Sequence, residues 1–409
     1  MTRLGDVSDM LVGFAFKSAG FLDADADGVR ILRGDNVQQG YIRWGDKTKK
    51  WPVAQCDGLE RYQLAEDDVI LAMDRPIVGD GLKMAWIRPE DLPALLVQRV
   101  CRLRGKPDMA LTKFIRYVLA APDFSGHIHR ITTGANIPHI SGKDIAAYEF
   151  ELPDLEDQVR IVECLSAYDD LIATNQRRIA LLEDAARRLY REWFVHLRFP
   201  GHESVPVKDG VPEGWCKRSM TSVADFVNGF AFKPEHLGEA GLPVVKIPEL
   251  RSGITSKTPY NPGHIVPQRN HITTGDVLFS WSATLLVNEW GEGPALLNQH
   301  LFKVIPHNEL HKRLVRFAVE AAIPELTGHA VGATMQHIRR SALDNHLMLV
   351  PDDATAAAFA AQADPMMDAV LNLTAQNREL VKARDLLLPK LMSGQLDVSG
   401  IALPDEVAA

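Results

Sequence analysis

Apolar residues at Leu165, Tyr168, Ile172, Ile179, Leu182, Ala186, Leu189 and Trp193 step along the chain by 3, 4, 7, 3, 4, 3 and 4. This is a heptad seam with one gap, at Asn175. It lies in a stretch from Asp154 to Phe199 that holds neither Pro nor Gly. At 1.5 Å per residue such a helix is roughly 60 Å long. That exceeds a core helix of one compact domain, so the pattern predicts a spacer that needs a partner helix. The plainer alternative is an amphipathic helix broken near its middle. A second seam runs from Asp353 to Leu391 through Met366, Val370, Leu373, Asn377, Leu380, Leu387 and Leu391, with Arg384 as a polar interruption. Two helices of similar length joined through a globular domain pack most easily antiparallel. That would bring Asn175 and Asn377 together, where a buried Asn fixes register at a cost in stability. The alternative leaves both at the seam's wet edge.

Between the seams the periodicity is shorter. Val69–Met73, Val244–Ile247 and Val277–Phe279 read as strands, and Leu111–Ala121 and Leu310–Ala322 as amphipathic helices. The signposts occur twice. DMLVGFAFK at Asp9–Lys17 returns as DFVNGFAFK at Asp225–Lys233, an offset of 216. Asp68–Leu71 returns as Asp276–Phe279 at 208, and ALLVQ at Ala94–Gln98 as ALLNQ at Ala295–Gln299 at 201. Gly134-Ala135 with His139-Ile140 returns as Gly332-Ala333 with His337-Ile338 at 198, and Pro153 returns as Pro351 at the same 198. The order is kept while the offset only falls, which marks a tandem duplication with shortened loops. The expected domains are 1–153, a helix over 154–199, a Pro/Gly-rich linker over 200–214, a second domain over 215–351, a second helix over 352–395 and a loose tail over 396–409. The expected fold class is α/β or α+β: two tandem globular domains separated by two long antiparallel coiled-coil helices.

Composition narrows the functional classes. The chain has 409 residues, 46% hydrophobic and 24% charged, as in ordinary globular proteins. No apolar run suits a membrane span, and the start lacks the apolar core of a signal peptide. Cys56, Cys101, Cys164 and Cys216 are scattered, which fits reduced thiols in a cytoplasm and argues against a zinc site. Net charge is −8, at first sight unfavourable for a nucleic-acid partner. Yet residues 1–150 carry 20 basic and 20 acidic side chains and residues 212–350 carry 13 and 12, so the excess acid sits on the helical regions. A near-neutral domain can turn one basic face to phosphates. No phosphate-binding loop, cofactor fingerprint or nucleophile motif occurs. His127 and His129 form a close pair with no acidic or Cys cluster, which suits a hydrogen-bonded pair better than a metal. A duplicated pair of diverged domains suits two binding sites better than one active site.

Candidate ligand contacts follow. Arg43, Lys47, Lys49 and Lys50 interleave with Trp44 and Trp51, as in a loop lying along a phosphate backbone, or in a solvated hairpin. Arg30 and Arg33 flank a strand-like segment, and Lys246 and Arg251 hold the comparable place in the second copy. The first polar turn offers His129, Arg130, Asn136 and His139. Its counterpart offers Thr334, Gln336, His337, Arg339 and Arg340. Asn, Gln, Arg and His suit base edges in a groove. The competing reading is a structural turn feeding the long helix.

TGANIPHISGKDIAAYEFELPDLEDQVRIVECLSAYDDLI resembles the end of a target-recognition domain running into its helix in the specificity subunits of type I restriction–modification systems. The features that carry the likeness are Gly134, Leu152-Pro153 and Asp157-Gln158. VPEGW at Val211–Trp215 and the closing ARDLLLPKLMSGQLDV are similar to family segments as well. The second copy departs, with PDDATAAAFAAQ in place of an acidic-Gln pair, and the first copy lacks the PxGW start. The resemblance implies two target-recognition domains reading the halves of a split, asymmetric double-stranded DNA site, and helices acting as a ruler. It also implies a subunit without catalysis of its own. Two methyltransferase subunits would dock on it with S-adenosylmethionine, and motor-nuclease subunits using ATP and Mg would join in some systems. A tandem scaffold that clamps proteins and binds no DNA is the competing class.

Overall fold

Both predicted long helices form, over Leu155–Tyr190 and Asp353–Met392. The computed structural model describes residues 1–79, 81–132, 138–307, 311–328, 338 and 340–401. It separates into two compact units: Met1–Asp170 with Val381–Ala409, and Leu171–Leu380. Each unit therefore holds one globular domain and a length of both helices.

In the first unit, antiparallel strands lie in the order Ser8–Val12, Val100–Gly105, Val69–Ala72, Met84–Trp86. A second sheet orders Lys49–Trp51, Val29–Leu32 and Ala94–Leu96, the last two parallel. In the second unit the orders are Ala224–Asn228, Leu301–Pro306, Val277–Ser280, Leu286–Glu289, and Tyr260–Asn261, Leu242–Val245, Ala295–Leu297, His271–Ile272. Leu242–Val245 and Ala295–Leu297 are again parallel. The duplicated signposts are thus the same strands in the same places.

The two most alike motifs touch each other in both copies. Phe14 N–H donates to the Leu96 carbonyl at 3.0 Å and Gln98 N–H to the Phe14 carbonyl at 2.8 Å. Phe230 N–H donates to the Leu297 carbonyl at 2.8 Å and Gln299 N–H to the Phe230 carbonyl at 3.0 Å. The glycine before each Phe lets the chains approach. A Cβ on Gly13 would stand 2.2 Å from the Val97 carbonyl carbon, and one on Gly229 2.1 Å from the Asn298 carbonyl oxygen. Only glycine fits there.

The long helices start differently. Asp154 caps the first through the Asp157 N–H at 2.9 Å. Gln158, fully buried, accepts from Leu111 N–H and donates to the Met109 and Pro153 carbonyls. Asp352 caps the second through Thr355 and also accepts from the Trp215 indole at 3.1 Å. Burial alone would raise the Asp352 pKa, but the Thr355 and Trp215 hydrogen bonds outweigh it and hold the carboxyl below its usual range. The place of Gln158 is taken by buried Ala356, whose side chain makes none of the hydrogen bonds of Gln158.

Within each unit the helix segments run antiparallel. In the first unit Ile161, Val162 and Leu165 share a core with Leu388 and Leu391, while Tyr168 and Leu387 are half-buried. Asp169 accepts from Arg116, Tyr117 and Arg384, each at 2.8 Å, tying the globular domain to both helix segments. In the second unit Ile172, Ala186, Val370 and Leu373 are buried, and Ile179, Leu182, Leu189 and Leu380 half-buried. Asn175, 1% exposed, donates to Asn377 Oδ1 at 3.0 Å, and Asn377 donates to the Ile172 carbonyl at 3.3 Å. The Asn pair expected from the seams is formed.

Several expectations shift. The first helix does not reach Phe199. It passes into a π turn over Arg191–Val195, where His196 N–H bonds Arg191. The widened turn buries both Trp193 and Phe194 against Phe359. Tyr190 rather than Leu189, and Met367 rather than Met366, are the fully enclosed seam residues. The linker is built, with a hairpin at Val207–Lys208 and Val211–Pro212 and with Val205 and Val211 on a core cluster. The tail is not loose through 401: Val398 is buried, and Arg160 donates to the Ile401 carbonyl at 3.2 Å.

Candidate nucleic-acid interface

The strand Val29–Leu32 ends in a turn held by Asn36, which accepts from Arg33 N–H at 3.0 Å and donates to the Arg43 carbonyl at 3.1 Å. This places Arg33 and Arg43 at one end of the domain. Leu32 pairs with Leu96, and Val245 with Leu297, so Arg33 and Lys246 stand at one structural place. The turn chemistry repeats: Lys246 N–H donates to Glu249 at 3.0 Å. Arg33 reaches Asp35 at 3.7 Å and lies over the Phe21 ring, whereas Lys246 and exposed Arg251 have no side-chain partner among the described residues.

Ile140 and Ile338, which follow the two polar turns in sequence, bond to equivalent strand ends in the two copies. Ile140 N–H donates to the Met73 carbonyl at 3.0 Å, and its counterpart Ile338 N–H to Trp281 at 3.0 Å. His139 lies 2.7 Å from Asp74, which also accepts from Arg99 at 3.3 Å. Arg75 follows with φ 45°, its N–H bonded to the Pro138 carbonyl at 2.7 Å and its side chain exposed. Lys83 comes next to the Arg33 turn, its Nζ 3.9 Å from where a Gly34 Cβ would be.

Other expected contacts are engaged inside the domain. Arg30 donates to the Glu90 and Leu92 carbonyls at 3.0 and 2.7 Å and covers the Trp44 ring. Lys49 pairs with Asp23, and Lys50 donates to the Ala26 carbonyl at 2.7 Å. Trp44 donates to Asp91 at 2.7 Å, and Trp51 packs on Phe16, so neither indole lies free beside the lysines. His129 sits 2.8 Å from the Ser125 carbonyl and His127 3.0 Å from that of Asp144. Arg43, Lys47, Arg130 and Arg340 are exposed and without a side-chain partner among the described residues. Asn136, Thr334, Gln336, His337 and Arg339 lie outside the described residues. Lys83 carries no sequence signal, because it comes beside the Arg33 turn, Arg43 and Arg75 only through the strand pairing.

The family model described as "Type I restriction modification DNA specificity domain" matches residues 1–184. The Type I restriction enzyme EcoAI specificity subunit of Escherichia coli is 36% identical over 174 residues. Through residues 1–184 the chain is thus similar to the specificity subunits of type I restriction–modification systems. The EcoAI match covers 42% of this chain and only 28% of that relative, so the chain spans about a quarter of that relative's length in the match. The MjaIX specificity subunit of Methanocaldococcus jannaschii is 23% identical over 320 residues, covering 71% of this chain and 70% of the relative. The crystal structure of the type I S subunit from M. genitalium shares the fold, with a TM-score of 0.56 at 14% identity over 95% of both chains.

Proposed function

We propose that this chain is the specificity subunit of a type I restriction–modification complex, that it binds double-stranded DNA and that it reads a split, asymmetric target, each globular domain taking one half. It performs no chemistry itself. Two methyltransferase subunits dock on it and bring S-adenosylmethionine. In systems that restrict, motor-nuclease subunits bring ATP and Mg. The observation that carries this reading is the matched placement of Arg33 and Lys246 on a duplicated scaffold, each at the end of the same strand with its N–H held by a side chain three residues further on. Cations repeated at one place on two copies suit two approaches to one polyanion. The unpaired Arg43, Lys47, Arg130, Arg251 and Arg340 extend the supply of positive charge.

The test is a base-resolution methylation map of the host genome with and without this gene. Loss of adenine methylation at one split, asymmetric motif on deletion is the expected outcome. An unchanged map in a host whose partner methyltransferase is demonstrably expressed would favour a scaffold that binds proteins only.

A further inference from the structure

Lys83 is 9% exposed, and no hydrogen bond or ion pair reaches its Nζ among the described residues. The atom is not among the side-chain nitrogens sealed from solvent without a partner, so it keeps an opening to the outside. The charges facing it are Asp35, Asp74, Arg75 and Arg43. Asp74 is already shared by Arg99 and His139, and Asp35 is largely exposed beside Arg33. The result is a covered ammonium among cations. Burial pushes its pKa down, as expected for a charge taken from water without compensation. Such a group lowers stability, and an uncompensated polar group in a well-formed domain points to a ligand.

The second copy sharpens the point. Val69 pairs with Trp86 and Val277 with Glu289, so counting back along each strand puts Leu286 where Lys83 is. Ala283, also at positive φ, stands where Arg75 is. The scaffold repeats while this place changes from cationic to apolar. A phosphate backbone is alike at any DNA half-site, so phosphate contacts can stay the same in both copies. Contacts that read bases must differ when the half-sites differ.

Building on the DNA-binding role proposed above, we propose that Lys83, flanked by Arg75 and Arg43, is a base-reading residue of the first domain and donates to the guanine O6 and N7 acceptors of the major groove.

The test uses the full chain assembled with its methyltransferase subunits to select duplexes from a randomised pool, followed by sequencing. Lys83→Met keeps the aliphatic stem and removes the charge. The expected result is loss of guanine preference at one or two positions of one half-site, with the other half-site unchanged. Affinity for the parent motif should fall roughly ten- to hundredfold. The melting temperature should hold or rise, whereas a structural lysine would lower it. Arg75→Ala changes an exposed side chain and should weaken selection at the same or adjacent positions. An unchanged motif with unchanged affinity overturns the proposal. So does an even loss of affinity over all sequences, which marks a phosphate contact. A parent complex that selects no motif removes the DNA-reading role itself.

Discussion

Gly13 and Gly229 show how one residue type locks a repeated fold. Each sits where its chain crosses the following ALL segment, with backbone about 2 Å from any added Cβ. Neither the strand nor the ALL segment can retreat without breaking the pairing that aligns both sheets. Gly13→Ala or Gly229→Ala should therefore cost at least about 2–3 kcal/mol, read as a fall in denaturation midpoint. Gly45→Ala, with nothing within 4 Å, is the matched control and should be nearly neutral. Equal midpoints for all three variants would remove the argument. The repeat around these glycines is readable in sequence because both partners in the contact are local motifs. Lys83 is not readable, because its isolation depends on which strand lies beside it. Arg30 misleads for a related reason: its guanidinium finds the Glu90 and Leu92 carbonyls, distant in sequence and adjacent only after parallel pairing. Arg116 and Arg316 offer a signal that pattern reading passes over. Each is the fourth residue of a similar run, KFIRY or RLVRF, and they are 7% and 2% exposed, each covering the ring that follows it.

Among the elements, the long helices were the most legible, since a 3/4 repeat without glycine has few alternatives. Their ends were less so. The π turn at Arg191–Val195 depends on aromatic partners from Phe359 and Trp215, which no local pattern specifies. The Asn175–Asn377 bond replaces what two apolar residues would do with greater stability. Its return is selectivity, because a shifted register leaves both amides unpaired in an apolar seam. Replacing both by Leu should raise thermal stability and loosen register. Spin labels on exposed Gln176 and Gln376 would report this: one narrow distance in the parent, a broadened or split distribution in the double variant. A single narrow peak in both would mean that the apolar residues alone set the register.

At the scale of the whole chain, the net charge of −8 coexists with unpaired cations on both domains. Binding through Arg43, Lys47, Arg130, Lys246, Arg251 and Arg340 should make log affinity fall with log salt at a slope of about −5 if all six meet phosphate. Anisotropy titrations of labelled duplex at several salt concentrations measure this directly, and a slope near zero would sink the electrostatic account. The division of the chain also sets the order in which its cores close during synthesis. The second unit is one continuous segment, Leu171–Leu380, but the first combines Met1–Asp170 with residues from Val381 onward. The part made first is completed last. Ile161, Val162 and Leu165 emerge from the ribosome with their partners Leu388 and Leu391 still untranslated. At typical elongation rates that apolar stripe waits roughly 10–40 s for its cover. Chains truncated after Leu380 and released from the ribosome should carry a completed second unit and a first unit that chaperones still hold.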